Sequence, residues 1–474
     1  MAKRQSGARH RSKLVTVSNR LPVTVRRGPR GSERVRSTGG LVAAFEPLLE
    51  DRGGLWVGWP GTDLRDGETL SDPGDAFQIE PVHIPRADIK GYYHGFCNRA
   101  LWPLFHTMPV RASFKTSEWE AYERVNDRFA EATAANLEPG DTVLVNDYQL
   151  MLTPARLRRL APEAVIGFFL HIPFPPYDVF RVLPWARQLL RGMLACDLVG
   201  FHVSGYVRNF LDCVHRLLGD KVDVRRGIAQ HGHRTVRAVA LPLGIDYARY
   251  EDQARHAPST GFPEDQRVIL GVDRLDYTKG IPERLRAFSR LLELHPEHRQ
   301  RTTLLQLAVP SRSEVAEYRW LKREIDELVG QINGRYASAS WTPIRYLYRT
   351  VPPDRLAALY RDADVGLVTP LRDGMNLVAK EYVACQVGDP GVLVLSHMAG
   401  AAESMAEALL ANPYDLDDTA SKLHTALTMP LPERHTRMEA LRQREAEHDV
   451  HSWAHKLMHR LTAAAKQNRK TEGS

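Results

Sequence analysis

At 474 residues the chain is longer than one hydrophobic core usually serves, which predicts two domains of ordinary size. Its formal charge of +7 does not point to nucleic acid: residues 1–36 carry eleven Lys or Arg against one Glu, so the remainder is mildly acidic. The four cysteines, Cys97, Cys196, Cys213 and Cys385, show no C-x-x-C spacing, and no apolar run approaches the roughly 18–20 residues of a membrane span. With no apolar signal core at the N-terminus either, a reduced cytoplasmic protein with neither nucleic-acid nor membrane partners is expected.

In chain order, residues 1–12 read as a disordered basic tail. Short apolar runs follow, each leading into a longer amphipathic segment: KLVTVS (13–18), TVLVND (142–147), VIGFFLH (165–171) and LVGFH (198–202). After a polar, turn-rich junction at 241–266 the pattern repeats with RVILGVD (267–273), TLLQLAV (303–309), IRYLY (344–348), DVGLVT (364–369) and GVLVLS (391–396). Strand-length runs alternating with helix-length segments predict parallel sheets built from βαβ units. The expected organisation is an N-terminal Rossmann-like domain over 13–245, a second over 246–447, and a C-terminal helix over 448–474 packing back across both. Two such domains facing each other would form a cleft at the carboxyl ends of their strands, where open α/β sheets bind ligands.

The unusual residues gather at those strand ends. VSNRLPV ends a strand with Arg20, and STGGLVAAFEPLLE (37–50) opens a helix with a glycine pair, an arrangement that can hold a phosphate or simply cap the helix. GYYHGFCNRALW (91–102) offers Tyr93 and Trp102, suited to a sugar or to core packing. NDYQLM and FFLHIPFPP place Asp147 and His171 after successive strands; a lone histidine there is commonly a core residue, but here it leads into a rigid proline loop.

GVDRLDYTKG (271–280) is sharper. Arg274 at a strand end and Lys279 beside Gly280 at the start of a helix can converge on one anion, such as a diphosphate leaving group, or pair with Asp273 and Asp276. Arg312 follows the next strand end, on a loop that also reads as plain surface. TPLRDGMNLVAKEYVA (369–384) then sets Asp373 and Glu381 about a turn that opens a helix. The 19 histidines contain no H-E-x-x-H, and no carboxylate cluster suits Mg²⁺, so no metal ligands and no cofactor are predicted.

With these pieces together the chain resembles the trehalose-6-phosphate synthases, retaining glycosyltransferases of glycosyltransferase family 20. The resemblance runs from about residue 13 to about 460. Its blocks are SNRLPV, STGGLV, GYYHGFCNRALWP, DYQL, GFFLHIPFPP, GVDRLDYTKG and TPLRDGMNLVAKEYVA. It implies the α/β GT-B fold, two facing Rossmann-like domains with a cleft between them. The implied activity is transfer of glucose from a nucleotide diphosphate glucose to the anomeric hydroxyl of glucose 6-phosphate, giving an α,α-1,1 link. Carried over position by position, Arg20, Tyr93, Trp102 and Arg312 would hold the acceptor phosphate, and Asp147 would orient acceptor hydroxyls. Gly40 would lie in the loop closing over the reacting groups, and His171 beside the donor glucose. Arg274 and Lys279 would grip the diphosphate. Asp373, Gly374, Met375 and Asn376 would hold the donor glucose, with Leu377 by the nucleotide and Glu381 accepting from the ribose.

No candidate nucleophile stands out, so the resemblance implies a front-face transfer in which the leaving phosphate oxygen takes the acceptor proton, without a metal. Some family members carry His where Asn146 and Gln149 stand, a departure that touches the acceptor side. UDP-glucose and GDP-glucose both fit as donor, and the base is not legible. Relatives often form dimers or tetramers, so a homo-oligomer fits the resemblance. No phosphatase-like segment follows residue 465, so a separate phosphatase would act next. The rival readings are a transferase with another phosphorylated acceptor, such as glycerol 3-phosphate, and a catalytically silent regulatory homologue. The intact DGMNLVAKE block and the complete set of charged residues disfavour both. A dinucleotide oxidoreductase is excluded because its glycine fingerprint is missing.

Overall fold

A computed structural model of the chain describes residues 12–28, 31–36, 42, 45–46, 49–50, 53–62, 70, 77–312 and 315–472. The chain divides into two compact units, residues 1–240 with 454–474, and residues 241–453.

The first unit is built on β1 (Leu14–Arg20), a run buried at every position until Arg20. The hairpin of β2 (Val23–Gly28) and β3 (Gly31–Arg36) leaves the main sheet and pairs with itself. β4 (Gly54–Trp59) and β5 (Gln78–Pro81) then lie on one side of β1, while β6 (Thr142–Asn146), β7 (Val165–Phe169) and β8 (Leu198–Phe201) lie on the other. All of these pair in parallel. Such a sheet is covered on both faces, which is why its strands read as continuous apolar runs rather than alternating ones.

The expected all-parallel pattern stops at the far edge. β9 (Lys221–Asp223), β10 (Ile228–His231) and β11 (Arg234–Ala240) form an antiparallel meander, and only β11 runs parallel to β8. Two-residue and four-residue turns are too short for a crossover helix, so these strands can only reverse direction. The helix Val450–Glu472 closes the unit: from residue 454 on it belongs here. Its Asn468 donates 2.9 Å to Asp197, a buried carboxylate that also takes Arg158 and Arg234.

The second unit holds β12 (Arg267–Arg274), β13 (Thr302–Val309), β14 (Ile344–Tyr348), β15 (Val365–Val368), β16 (Val392–Ser396) and β17 (Leu409–Ala411). Their order, β14-β13-β12-β15-β16-β17, is parallel throughout and is the doubly wound Rossmann order. The order reverses between β12 and β15, so the loops leaving those two strands diverge and open a crevice. In the first unit the same reversal falls between β1 and β6. Those four loops carry most of the residues singled out above.

Candidate functional site

In the first unit, Arg20 ends β1 and lays its guanidinium over the Trp59 ring, 4.2 Å from the ring centroid. Tyr93 meets the same indole edge-on at 6.4 Å, so the indole joins two residues that lie 73 positions apart in sequence. Although Arg20 as a whole is exposed, desolvation of its guanidinium lowers it from its ordinary value, partly offset by the Tyr93 and Tyr92 phenols. The space for Arg20 is kept by Gly61, at φ +84°, where an added Cβ would lie 1.5 Å from Nη1 of Arg20. Tyr92, next to Tyr93, donates 2.8 Å to Asn19 and so ties the helical segment to β1. That segment, Lys90–Leu101, is wound as a π-helix rather than an α-helix, a form found mostly at functional sites. Trp102 follows it, buried, its ring 4.2 Å from that of His106 and 5.6 Å from that of Tyr148.

Asp147 leaves β6 at φ +73°, a backbone conformation uncommon for any residue with a side chain. Its N–H donates 2.8 Å to Phe169 O, and its Oδ1 accepts from the His171 N–H at 3.1 Å. The two strand ends are thereby locked, carboxylate to backbone. Asn146 completes the arrangement: its amide nitrogen donates to Val17 O and Leu144 O, which leaves Oδ1 as an acceptor facing His171 Nε2 at 3.2 Å. That contact selects the tautomer with hydrogen on Nε2. Burial, with His202 beside it, holds the imidazole well below the usual histidine range, so His171 is neutral at pH 7.

In the second unit, β12 ends in the exposed Arg274 and leads to a 3-10 turn, Tyr277–Lys279. Gly280 caps the turn at φ +65°, where a Cβ would strike Thr369 O at 2.5 Å, and the helix Ile281–Leu294 begins. Lys279 reaches across to the loop after β15 and pairs with Asp373 at 2.5 Å. A second bond joins the same loops, from the Leu371 N–H to Thr278 O at 2.8 Å. Asp373 also accepts from Asn376 Nδ2 at 3.0 Å. Asn376, itself at φ +77°, caps the helix Leu377–Cys385 by accepting from the Ala379 N–H. The Gly400 N–H donates to Asp373 O and the Ala401 N–H to Met375 O, fixing the backbone of residues 373–375 from below. The helix opens four residues after Asp373, so the positive end of its dipole lies on the loop that carries the Lys279–Asp373 pair.

Under this surface sits Arg284, fully buried, which the sequence reading passed over. It donates to Asp273 at 2.5 Å, Gln306 at 2.9 Å, Thr369 at 3.0 Å and Lys279 O at 3.4 Å, binding β12, β13 and both loops together. Asp276 plays the matching part on the other side. It accepts from Thr278, Arg312 at 3.0 Å and Tyr318 at 3.2 Å. Burial alone would raise its carboxyl, but Arg312, Arg274, the Thr278 N–H and Lys279 outweigh that and hold it below the usual range. Four cations thus face three carboxylates, and the exposed Arg274 carries the excess positive charge toward solvent.

Glu381 lies one turn into the helix. It accepts from the Tyr360 hydroxyl at 2.9 Å, and Tyr250 donates to it as well. Burial raises its carboxyl above the usual range, opposed by the two phenols. A carboxylate has about four acceptor positions, so two remain for a ligand's hydroxyls. Met375 and Leu377 adjoin this loop in sequence, while Gly40 falls outside the described residues. The structure therefore groups Arg20 with Tyr93, groups Asn146, Asp147 and His171, and groups Arg274, Lys279, Arg312 and Asp373. The residues missed were Trp59, Gly61, Arg284, Tyr250 and Tyr360. GLWVGWPG was the signal present for the first two, while Arg284 is one of three arginines in its helix and no sequence signal sets it apart.

The sequence pattern of Glycosyltransferase family 20 matches residues 12–463. The chain is 45% identical over 470 residues to the trehalose-6-phosphate synthase of Mycolicibacterium smegmatis, covering 95% of this chain and 93% of that protein. To the Mycobacterium bovis synthase it is 44% identical over 475 residues, covering 96% and 95%. A crystal structure of the UDP-forming α,α-trehalose-phosphate synthase of Burkholderia xenovorans in complex with glucose-6-phosphate superposes with a TM-score of 0.87 at 36% identity, covering 95% of this chain and 100% of that one. An E. coli structure bound with UDP-2-fluoro glucose gives 0.88 at 35% identity, covering 95% and 99%.

Two Rossmann-like units with this site define a hexose-transferring enzyme of the GT-B class. More particularly, the chain belongs to glycosyltransferase family 20.

Proposed function

We propose that the chain transfers glucose, with retention, from a nucleotide diphosphate glucose to the anomeric hydroxyl of glucose 6-phosphate, releasing the nucleoside diphosphate and α,α-trehalose 6-phosphate. The observation that carries this reading is the Lys279–Asp373 pair at 2.5 Å beside the N-terminus of the helix Leu377–Cys385. A diphosphate leaving group needs positive charge at its oxygens as the glycosidic bond breaks. Arg274, Lys279 and the helix N-terminus supply it, and Asp373 holds Lys279 in place while its loop presents Gly374, Met375 and Asn376 to the donor sugar. Glu381, oriented by Tyr250 and Tyr360, keeps acceptor positions for the ribose. Leu377 lies by the nucleotide.

In the first unit, Arg20 and Tyr93 on the Trp59 platform are assigned to the acceptor phosphate, with Trp102; the family resemblance assigns Arg312, in the second unit, to the same phosphate. Asp147 orients acceptor hydroxyls. His171, neutral and fixed by Asn146, sits by the donor glucose as a hydrogen-bond partner, not as a cation. The transferred proton passes from the acceptor hydroxyl to the leaving phosphate oxygen as the new bond forms, so the protein contributes position and charge. Neutralisation by these cations supports a reaction that needs no added metal.

Relatives named as UDP-forming support UDP-glucose as one donor, and GDP-glucose is retained as a second. The product would pass to a separate phosphatase, and a cytoplasmic location is inferred; among the described residues no helix is long and apolar enough to cross a membrane. A donor panel tests the reading. Purified protein, glucose 6-phosphate and equal UDP-, GDP- or ADP-glucose are incubated with EDTA, and nucleoside diphosphate release is followed. Turnover with at least one donor is expected, and silence with all three in folded protein would overturn it.

A further inference from the structure

The helix Ile281–Leu294 begins beside Lys279 and ends, 14 residues and about 21 Å later, in the sequence HPEH. There His295, Glu297 and His298 meet His424, which comes from the helix Leu416–Thr428, 126 residues beyond His298. Glu297 Oε1 lies 3.4 Å from His295 Nδ1 and 3.8 Å from His424 Nδ1. The three ligand atoms all fall within 4.8 Å of one another. His298, buried, brings its Nε2 to 3.0 Å from His424 Nδ1.

We propose that His295, Glu297 and His424 form a binding site for one divalent transition-metal ion of the zinc type. Around such an ion, with bonds of about 2.0–2.2 Å, tetrahedral ligand atoms stand about 3.4 Å apart. The two separations from Glu297, 3.4 Å to His295 and 3.8 Å to His424, lie near that value. Two imidazoles and one carboxylate suit zinc, cobalt or nickel and disfavour magnesium and calcium, which take oxygen shells. The ion has three protein ligands and takes water in its fourth tetrahedral position. It joins the end of one helix to the middle of another within the second unit. The rings of His295 and His424 are stacked at 3.7 Å and 10°, so one must tilt for both lone pairs to meet an ion. Both rings are part-exposed, so that tilt turns into solvent rather than into the core.

The test uses untagged full-length protein, stripped with chelator and dialysed. Zn²⁺ is titrated against a chromogenic competitor, and Co²⁺ is added separately to read visible d–d absorption. The expected result is one Zn²⁺ per chain, a visible Co²⁺ band, and a rise in Tm on loading. The His295→Ala/His424→Ala variant should bind Zn²⁺ at least about tenfold more weakly and lose both the band and the Tm rise. Glucosyl transfer without added metal should be the same in both proteins. If the double variant fails to fold by circular dichroism, the exposed Glu297→Gln change serves in its place. Absence of one-to-one binding in the native protein, or binding unchanged in the variant, overturns the proposal.

Discussion

Replacing Lys279 by Ala separates the charge argument from mere packing. The ammonium lies 2.5 Å from Asp373, and the two side chains are only 13% and 14% exposed. Removing it takes one preorganised cation from the leaving diphosphate and leaves Asp373 to Asn376 alone among the contacts described above for its carboxylate. Loss of one such group in a water-poor site costs about 2.7–4 kcal/mol of transition-state stabilisation, about 10²–10³ in kcat. Donor KM should change much less, because the charge develops as the bond breaks. Lys279→Arg keeps the charge but replaces a compact ammonium with a wider planar group, so an intermediate loss is expected. The assay is initial-rate kinetics at saturating glucose 6-phosphate, with donor affinity measured separately by calorimetry. A folded Lys279→Ala protein with kcat within about threefold of native would refute the reasoning.

Three further outcomes follow from the geometry. Gly61→Ala places a methyl 1.5 Å from Nη1 of Arg20 and strains a φ of +84°, so KM for glucose 6-phosphate should rise about tenfold or more with kcat less affected. Asn146→Ala removes the acceptor for His171 Nε2–H; kcat should fall about tenfold, equivalent to one hydrogen bond of about 1.4 kcal/mol, and imidazole ¹⁵N shifts should report a mixed tautomer. His171 has its folded pKa depressed by burial, so the unfolded chain binds the extra proton first. Stability is then present above the unfolded value of about 6.5 and lost as pH falls below it, by at most about 1.4 kcal/mol per pH unit. Denaturant unfolding at pH 7.5 and 5.0 should give a steeper loss in native protein than in His171→Gln.

Much of this was legible because parallel strands buried on both faces leave unbroken apolar runs. KLVTVS, TVLVND, RVILGVD and GVLVLS each coincide with a strand, and the residues just after them reach the sheet's carboxyl end by construction. β4 is not legible as a strand because GLWVGW is short, glycine-containing and followed in sequence by a stretch rich in Gly, Pro and Asp. The antiparallel edge of β9, β10 and β11 was missed because REGULAR alternation is weak in segments as polar as KVDVRRGIAQHGHRT. Arg284 could not be assigned from sequence: its partners Asp273, Gln306 and Thr369 lie on three different strands or loops. His424 is likewise separated from HPEH by more than a hundred residues, so no closely spaced ligand motif reveals it. Long-range convergence of this kind is set by strand order, which a single sequence states only indirectly.

The most direct measurement of the central claim is the identity and anomeric configuration of the product. Protein, nucleotide diphosphate glucose and ¹³C-labelled glucose 6-phosphate are incubated with EDTA, and the sugar phosphate fraction is read by mass spectrometry and NMR. The account predicts a disaccharide monophosphate with both anomeric carbons in the α configuration and joined to each other, released one-for-one with nucleoside diphosphate. A β-linked product, or nucleoside diphosphate released with free glucose and unchanged glucose 6-phosphate, would contradict it.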